Sequence, residues 1–231
     1  MSKLAVVIGI GPGNGSALVR RFAADGYRVV AMSRADVSLE LVSGIDNVHT
    51  MKLDVAKTDV VEQAFTALIA EHGLPDVVLF NAGSGSWGTF DGVTADELRT
   101  SWEINTLGLF AVAKQVLPQM RERGSGVLGV TGATASLRGK PFTTAFAQAK
   151  AAQRSLSQSF AREFGPHGVH VFYFIVDGVI DLPRTREYMA DKPDEFFLKA
   201  DDIAQSVWAI AHQPRSAWTF ELDLRPFGEQ W

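Results

Sequence analysis

Leu4-Ala5-Val6-Val7-Ile8-Gly9-Ile10-Gly11-Pro12-Gly13-Asn14-Gly15 runs from a short apolar stretch straight into a cluster of glycines. The apolar run is too short to span a membrane and carries no signal-peptide cleavage pattern, so it reads as a buried strand. A helical pattern over 14–25 comes directly after it. A glycine cluster alone also admits a second reading, a plain tight turn. Placed between a first strand and a helix, it also suits a pyrophosphate. Glycines tolerate positive φ, let backbone N–H groups approach the phosphates, and set them on the positive end of the helix dipole. The spacing here is Gly9-x-x-x-Gly13-x-Gly15, not the commoner G-x-G-x-x-G.

Outward from that turn, apolar runs at 4–9, 28–33, 48–54, 76–81, 126–131, 169–176 and 218–224 alternate with helical patterns at about 14–25, 57–72, 94–123, 143–165 and 200–213. Most of the runs are near-continuous in Val, Ile, Leu and Phe, as in strands covered on both faces. Thr94 and Glu97 form a capping-box pattern. Strand–helix alternation with right-handed crossovers predicts an α/β fold. The expectation is a single doubly wound Rossmann-type domain over 1–231, with a seven-stranded, mainly parallel sheet and helices on both faces. The irregular stretch 177–199, with Pro183, Tyr188, Met189, Phe196 and Phe197, reads either as a partly helical substrate flap or as a surface insertion.

The 231 residues carry a net charge of −4, which argues against a general nucleic-acid binder. There is no cysteine, so neither disulfides nor thiolate metal sites are available, and a reducing cytoplasm is the expected location. The five histidines are scattered, none at metal-ligand spacing, and no metal is expected.

Three further signals fall in register with the glycine turn. Asp54-Val55 ends the third strand, Asn81-Ala82-Gly83 ends the fourth, and Asn105 lies in the long helical region. Phe146-Ala147-Gln148-Ala149-Lys150 places residues 146 and 150 on one helical face. Together these resemble the short-chain dehydrogenase/reductase family over nearly the whole chain. The resemblance implies that Gly9, Gly13, Asn14 and Gly15 hold a pyrophosphate. It places Asp54 and Val55 at the adenine, and Asn81, Ala82 and Gly83 along the adenine ribose. By position, Lys150 would hold the nicotinamide ribose and the Ile180 backbone the carboxamide. The acid that marks NAD-preferring members at the end of the second strand is replaced by Ser33-Arg34, which suits a 2′-phosphate. NADP(H) is therefore expected over NAD(H), although Arg34 also reads as a solvated loop charge and Asp36 is an awkward neighbour for a phosphate.

The resemblance breaks at the catalytic groups. Lys150 and Asn105 match the family's lysine and asparagine, but Phe146 stands at the tyrosine position and Ala133 at the serine position. No tyrosine lies between Tyr27 and Tyr173, so no shift of register restores one. Lys150 itself, a water held by Asn105 and Lys150, or a hydroxyl from Thr134, Ser136, Tyr173 or Tyr188 remain as proton sources. Thr131 would point to the same side of its strand as Ala133. Asp177, where the family has proline, reads as a base, a partner for Lys150 or a helix cap. Trp87 and Phe90 line a pocket or staple a loop. The expected function is hydride transfer to or from a small carbonyl, alcohol or activated alkene in a remodelled active site; the alternative is a catalytically silent dinucleotide sensor or partner subunit. A homodimer or homotetramer is implied, with no membrane partner.

Overall fold

The computed structural model describes residues 2–228. Seven strands, β1 (Leu4–Ile8), β2 (Arg28–Ser33), β3 (Val48–Lys52), β4 (Val77–Phe80), β5 (Gly126–Ala133), β6 (Val169–Val176) and β9 (Glu221–Leu224), form one sheet in the order β3-β2-β1-β4-β5-β6-β9. Every pairing is parallel. A small parallel pair, β7 (Val179–Ile180) with β8 (Phe197–Leu198), lies outside it. The helices are α1 (Asn14–Ala24), α2 (Asp36–Glu40), α3 (Thr58–His72), α4 (Ala95–Trp102), α5 (Gly108–Arg123), α6 (Thr144–Phe164), α7 (Pro183–Tyr188) and α8 (Ala200–Ala211).

Strand alternation divides the apolar side chains between two cores. Leu4, Val6 and Ile8 of β1 pack with Phe65 of α3, Leu109 and Val112 of α5 and Phe160 of α6. Ala5 and Val7 face the other way, onto Leu18 and Phe22 of α1 and Ile203 and Val207 of α8. Each fully buried phenylalanine contributes roughly 1.5–3 kcal/mol. The result is the single doubly wound Rossmann-type domain that the strand–helix alternation predicts.

Two local departures matter. The helical region expected over 94–123 is interrupted by a π-helical turn, Glu103–Leu107, which contains Asn105. Such a turn inserts a residue into the helical ladder and re-aims the side chains beyond it. Gly108 then opens α5 at a point where a Cβ would stand 2.9 Å from the Val55 carbonyl oxygen, so only glycine lets this helix approach the end of β3. The stretch 177–199 folds into β7, α7 and β8, elements that composition alone does not define.

Candidate active site

The strand order reverses direction between β1 and β4, and a crevice opens where two such neighbouring strands send their connections to opposite faces. Here it is a cleft of about 1060 Å³. One half is built largely of backbone. Gly9 has φ 95°, and a Cβ there would fall 2.4 Å from the Ala82 nitrogen; at Gly15 it would fall 2.4 Å from the Gly9 carbonyl oxygen. These two glycines allow the ends of β1, β4 and α1 to converge. Asn81 fastens the junction: its Nδ2 donates to the Gly9 carbonyl at 2.7 Å, while its Oδ1 accepts from Thr131 Oγ1 at 3.0 Å. Asn14, the first residue of α1, is 6 % exposed, and its Oδ1 has no hydrogen-bond partner among the described residues.

Gly13, Ser33, Arg34, Asp54, Val55, Ala82 and Gly83 also line the cleft. Arg34 has no ion-pair partner among the described residues, because Asp36 is drawn away by Lys52 at 2.8 Å. The awkward neighbour of the sequence reading is therefore neutralised by another cation.

The other half is built of side chains on α6 and on the ends of β5 and β6. Phe146 and Lys150 face the cleft from one side of α6, with the Lys150 ammonium 5.8 Å from the Phe146 ring centre. Lys150 is buried, and loss of hydration pulls its pKa down to about 7. Its Nζ donates to the Thr131 carbonyl at 2.8 Å and to Gln153 Oε1 at 3.0 Å. Gln153 is the residue that sequence reasoning missed. Its Nε2 donates to the Asn105 carbonyl at 2.8 Å, so one amide joins the Lys150 ammonium to Asn105, the pair that one of the alternative readings links through a water. The helical spacing 146, 150, 153 was the available signal.

Asn105 itself is fully buried, with Nδ2 donating to the carbonyls of Ser101 and Ser84. It is Ile104 that lines the cleft, and Asn105 touches the site only from behind, where a Cβ on Gly83 would meet its unpartnered Oδ1 at 3.2 Å.

The remaining candidates separate cleanly. The Tyr173 hydroxyl is sealed behind Lys150, bonded to Ser136 at 2.8 Å and to Gln153 at 3.2 Å, and burial pushes its pKa well up. Ser136 is consumed by that contact and by the Ala133 N–H at 3.0 Å. Tyr188 and Phe90 are exposed and are absent from the cleft wall, whereas Trp87 is on it, its ring 5.4 Å from that of Phe146. Thr134 does line the cleft, and its Oγ1 donates to Asp177 Oδ1. Asp177 caps no helix and does not pair with Lys150; its cationic neighbour is Arg138, at 3.9 Å. The cap reading fails because β6 runs on through a bend into β7. From the 177–199 stretch, Ile180, Leu182, Arg184, Met189 and Phe196 reach the cleft, with Leu182 3.3 Å from where a Gly13 Cβ would be. The Ile180 carbonyl accepts from Thr185 Oγ1 at 2.6 Å.

The site therefore fits a dinucleotide: a glycine cradle that a Cβ would fill, a helix N-terminus with an orphaned Asn14 oxygen, and an uncommitted guanidinium. Among the described residues no group of three or more acids, histidines or cysteines is placed to hold a metal ion, and no helix is long and apolar enough to cross a membrane.

Comparison with known proteins agrees with this geometry. Residues 3–192 match the family model described as short chain dehydrogenase. The 2-(R)-hydroxypropyl-CoM dehydrogenase of Xanthobacter autotrophicus is 30% identical over 203 residues, covering 84% of this chain and 80% of that protein. An alcohol dehydrogenase from Thermococcus sibiricus, solved in complex with 5-hydroxy-NADP, superposes with a TM-score of 0.87 at 29% identity, covering 100% of this chain and 99% of that one. A short-chain dehydrogenase from Rhodopseudomonas palustris gives 0.82 at 32% identity, over 98% of this chain and 99% of that one. The chain belongs to the short-chain dehydrogenase family.

Proposed function

We propose that this protein is an NADP(H)-dependent oxidoreductase that moves hydride to or from a small apolar or aromatic carbonyl, alcohol or activated alkene, in a site that lacks the family's phenol. The observation that carries this reading is the cleft itself, which keeps the dinucleotide cradle and Lys150 while presenting Phe146 where a proton donor is expected. Arg34, unpaired at the end of β2 beside Ser33, favours a 2′-phosphate, in keeping with the NADP analogue bound in the Thermococcus enzyme. The glycines, Asn14, Asp54, Val55 and the 81–83 segment would hold the nucleotide, with Lys150 and the Ile180 backbone at the nicotinamide end. The bound cofactor supplies or accepts the hydride. Phe146 and Trp87 form an apolar wall that shapes the pocket. The segment 177–199 serves as the substrate flap.

Loss of a positioned acid or base typically costs about 10²–10⁴ in rate. Phe146→Tyr with Ala133→Ser is therefore expected to raise acetophenone reduction by about that factor. A double variant that binds NADPH yet stays inert on every ketone tested would show that the missing groups belong elsewhere. The second reading, a silent dinucleotide sensor, is favoured by the commitment of the Lys150 ammonium to Thr131 and Gln153; it predicts an NADPH-induced rise in melting temperature with no consumption of NADPH by ketones, quinones or enones. Exposed Leu98, Trp102 and Phe110 on α4, the π-helical turn's flank and α5 support a homodimer or homotetramer, which sedimentation would check.

A further inference from the structure

We propose that Thr134 and Asp177 form a proton relay in place of the absent phenol, an inference that rests on the hydride-transfer reading above. The pairing is a product of sheet register. Ala133 of β5 is matched with Val176 of β6, so the residues that follow the two strands, Thr134 and Asp177, come side by side in the wall of the cleft. The other cleft-lining threonines are committed to the scaffold: Thr131 Oγ1 donates to Asn81, and Thr143 Oγ1 donates to the Lys140 carbonyl. Thr134 instead gives its proton to a carboxylate that is 5 % exposed. Arg138 Nη2, 3.9 Å from that carboxylate, supplies a countercharge.

A hydroxyl whose hydrogen is already donated keeps only acceptor capacity. With Asp177 ionised, Thr134 therefore receives an alcohol O–H and has nothing to offer a carbonyl, so the relay in this state is set for alcohol oxidation. The carbinol C–H bond breaks with both its electrons, leaving as hydride to the oxidised nicotinamide. The substrate O–H proton passes to Thr134 Oγ1 as the threonine's own proton passes to Asp177 Oδ1, and the C=O bond forms. Ketone reduction is the reverse and starts from protonated Asp177. Thr134 is the catalytic residue; Asp177 acts through it, as the acceptor of the threonine's proton.

The test uses NADP⁺ with phenylethanol, cyclohexanol and isopropanol. Thr134→Val and Asp177→Asn are each expected to lower kcat about 100-fold, with KM changed less than about threefold and the NADPH-induced melting shift retained. Thr134→Ser should restore the rate that Thr134→Val loses. Phe146→Tyr, which supplies an independent phenol, should restore turnover in the Asp177→Asn background. A second readout needs no cofactor: the infrared carboxylate band that disappears in Asp177→Asn should shift in Thr134→Val. Wild-type turnover in Thr134→Val, or a band that it leaves unmoved, overturns the relay alone. Wild-type protein that binds NADPH but oxidises none of the alcohols and reduces none of their ketones overturns the hydride-transfer reading beneath it. If Asp177→Asn does not fold, the threonine variants decide.

Discussion

The two halves of the cleft are made of different materials. Around Gly9, Gly15 and Asn81 the walls are main chain, brought together by missing side chains and one amide staple. Around Lys150 the wall is made of side chains, held from behind by a polar lattice: Lys150 by Gln153 and the Thr131 carbonyl, Gln153 by the Asn105 carbonyl, and Thr134 by Asp177. A backbone cradle fails when an atom is added, because nothing can move aside. A side-chain lattice tolerates replacement when its polar atoms still find partners. In the reading proposed above, the family pattern is kept in the first half and departs in the second.

Adding one atom to the backbone half tests this contrast hardest. Gly9→Ala would force a methyl to 2.4 Å from the Ala82 nitrogen at a φ of 95°. It should destabilise the fold by about 3 kcal/mol or more, read by urea denaturation, and erase the NADPH melting shift. A variant with wild-type stability would end the idea that this half is rigid.

A smaller effect is expected in the other half. Lys150 in the folded protein loses its proton near pH 7, whereas the ordinary value for the unfolded chain is 10.5. Between those values the unfolded state binds the extra proton, so this residue makes stability rise with pH. The burial cost is present in full below about pH 7 and is gone above about 10.5. Lys150→Met should lose that slope and gain about 2 kcal/mol near pH 6. Wild type and variant denaturing in parallel from about pH 6 to pH 9 would contradict the buried, desolvated lysine.

The smallest effect belongs to the rim of the backbone half. Arg34→Ala should weaken NADPH binding about tenfold, about 1.4 kcal/mol, and leave NADH unchanged. Equal loss for both cofactors, measured by calorimetry, would make Arg34 a general anion contact and not a reader of the 2′-phosphate.

The same division explains which parts were legible in the sequence. The strands, the glycine turn and Asn81-Ala82-Gly83 are local patterns, and the parallel, doubly wound arrangement comes from the alternation of strands and helices. The pairing of Thr134 with Asp177 spans 43 residues and depends on the β5–β6 register, which no local pattern encodes. Gln153 sat in plain view on the face of Phe146 and Lys150, yet two of its three side-chain partners, Asn105 and Tyr173, come from other elements. The π-helical turn carries no composition signal in 94–123. The break of β6 into β7 removed the helix that Asp177 would have capped.

One feature of the sheet sets the order in which the molecule can become competent. The β9 strand is the outermost on its side and the last strand of the sheet in chain order, yet the Asp177 amide donates to the Leu224 carbonyl at 2.8 Å, and Glu221 grips Arg154 of α6 at 2.8 Å. The carboxylate end of the site is therefore not complete until the chain as far as Leu224 has joined the sheet, and a chain stopped short of it would leave the Asp177 amide without its acceptor and Arg154 without its carboxylate.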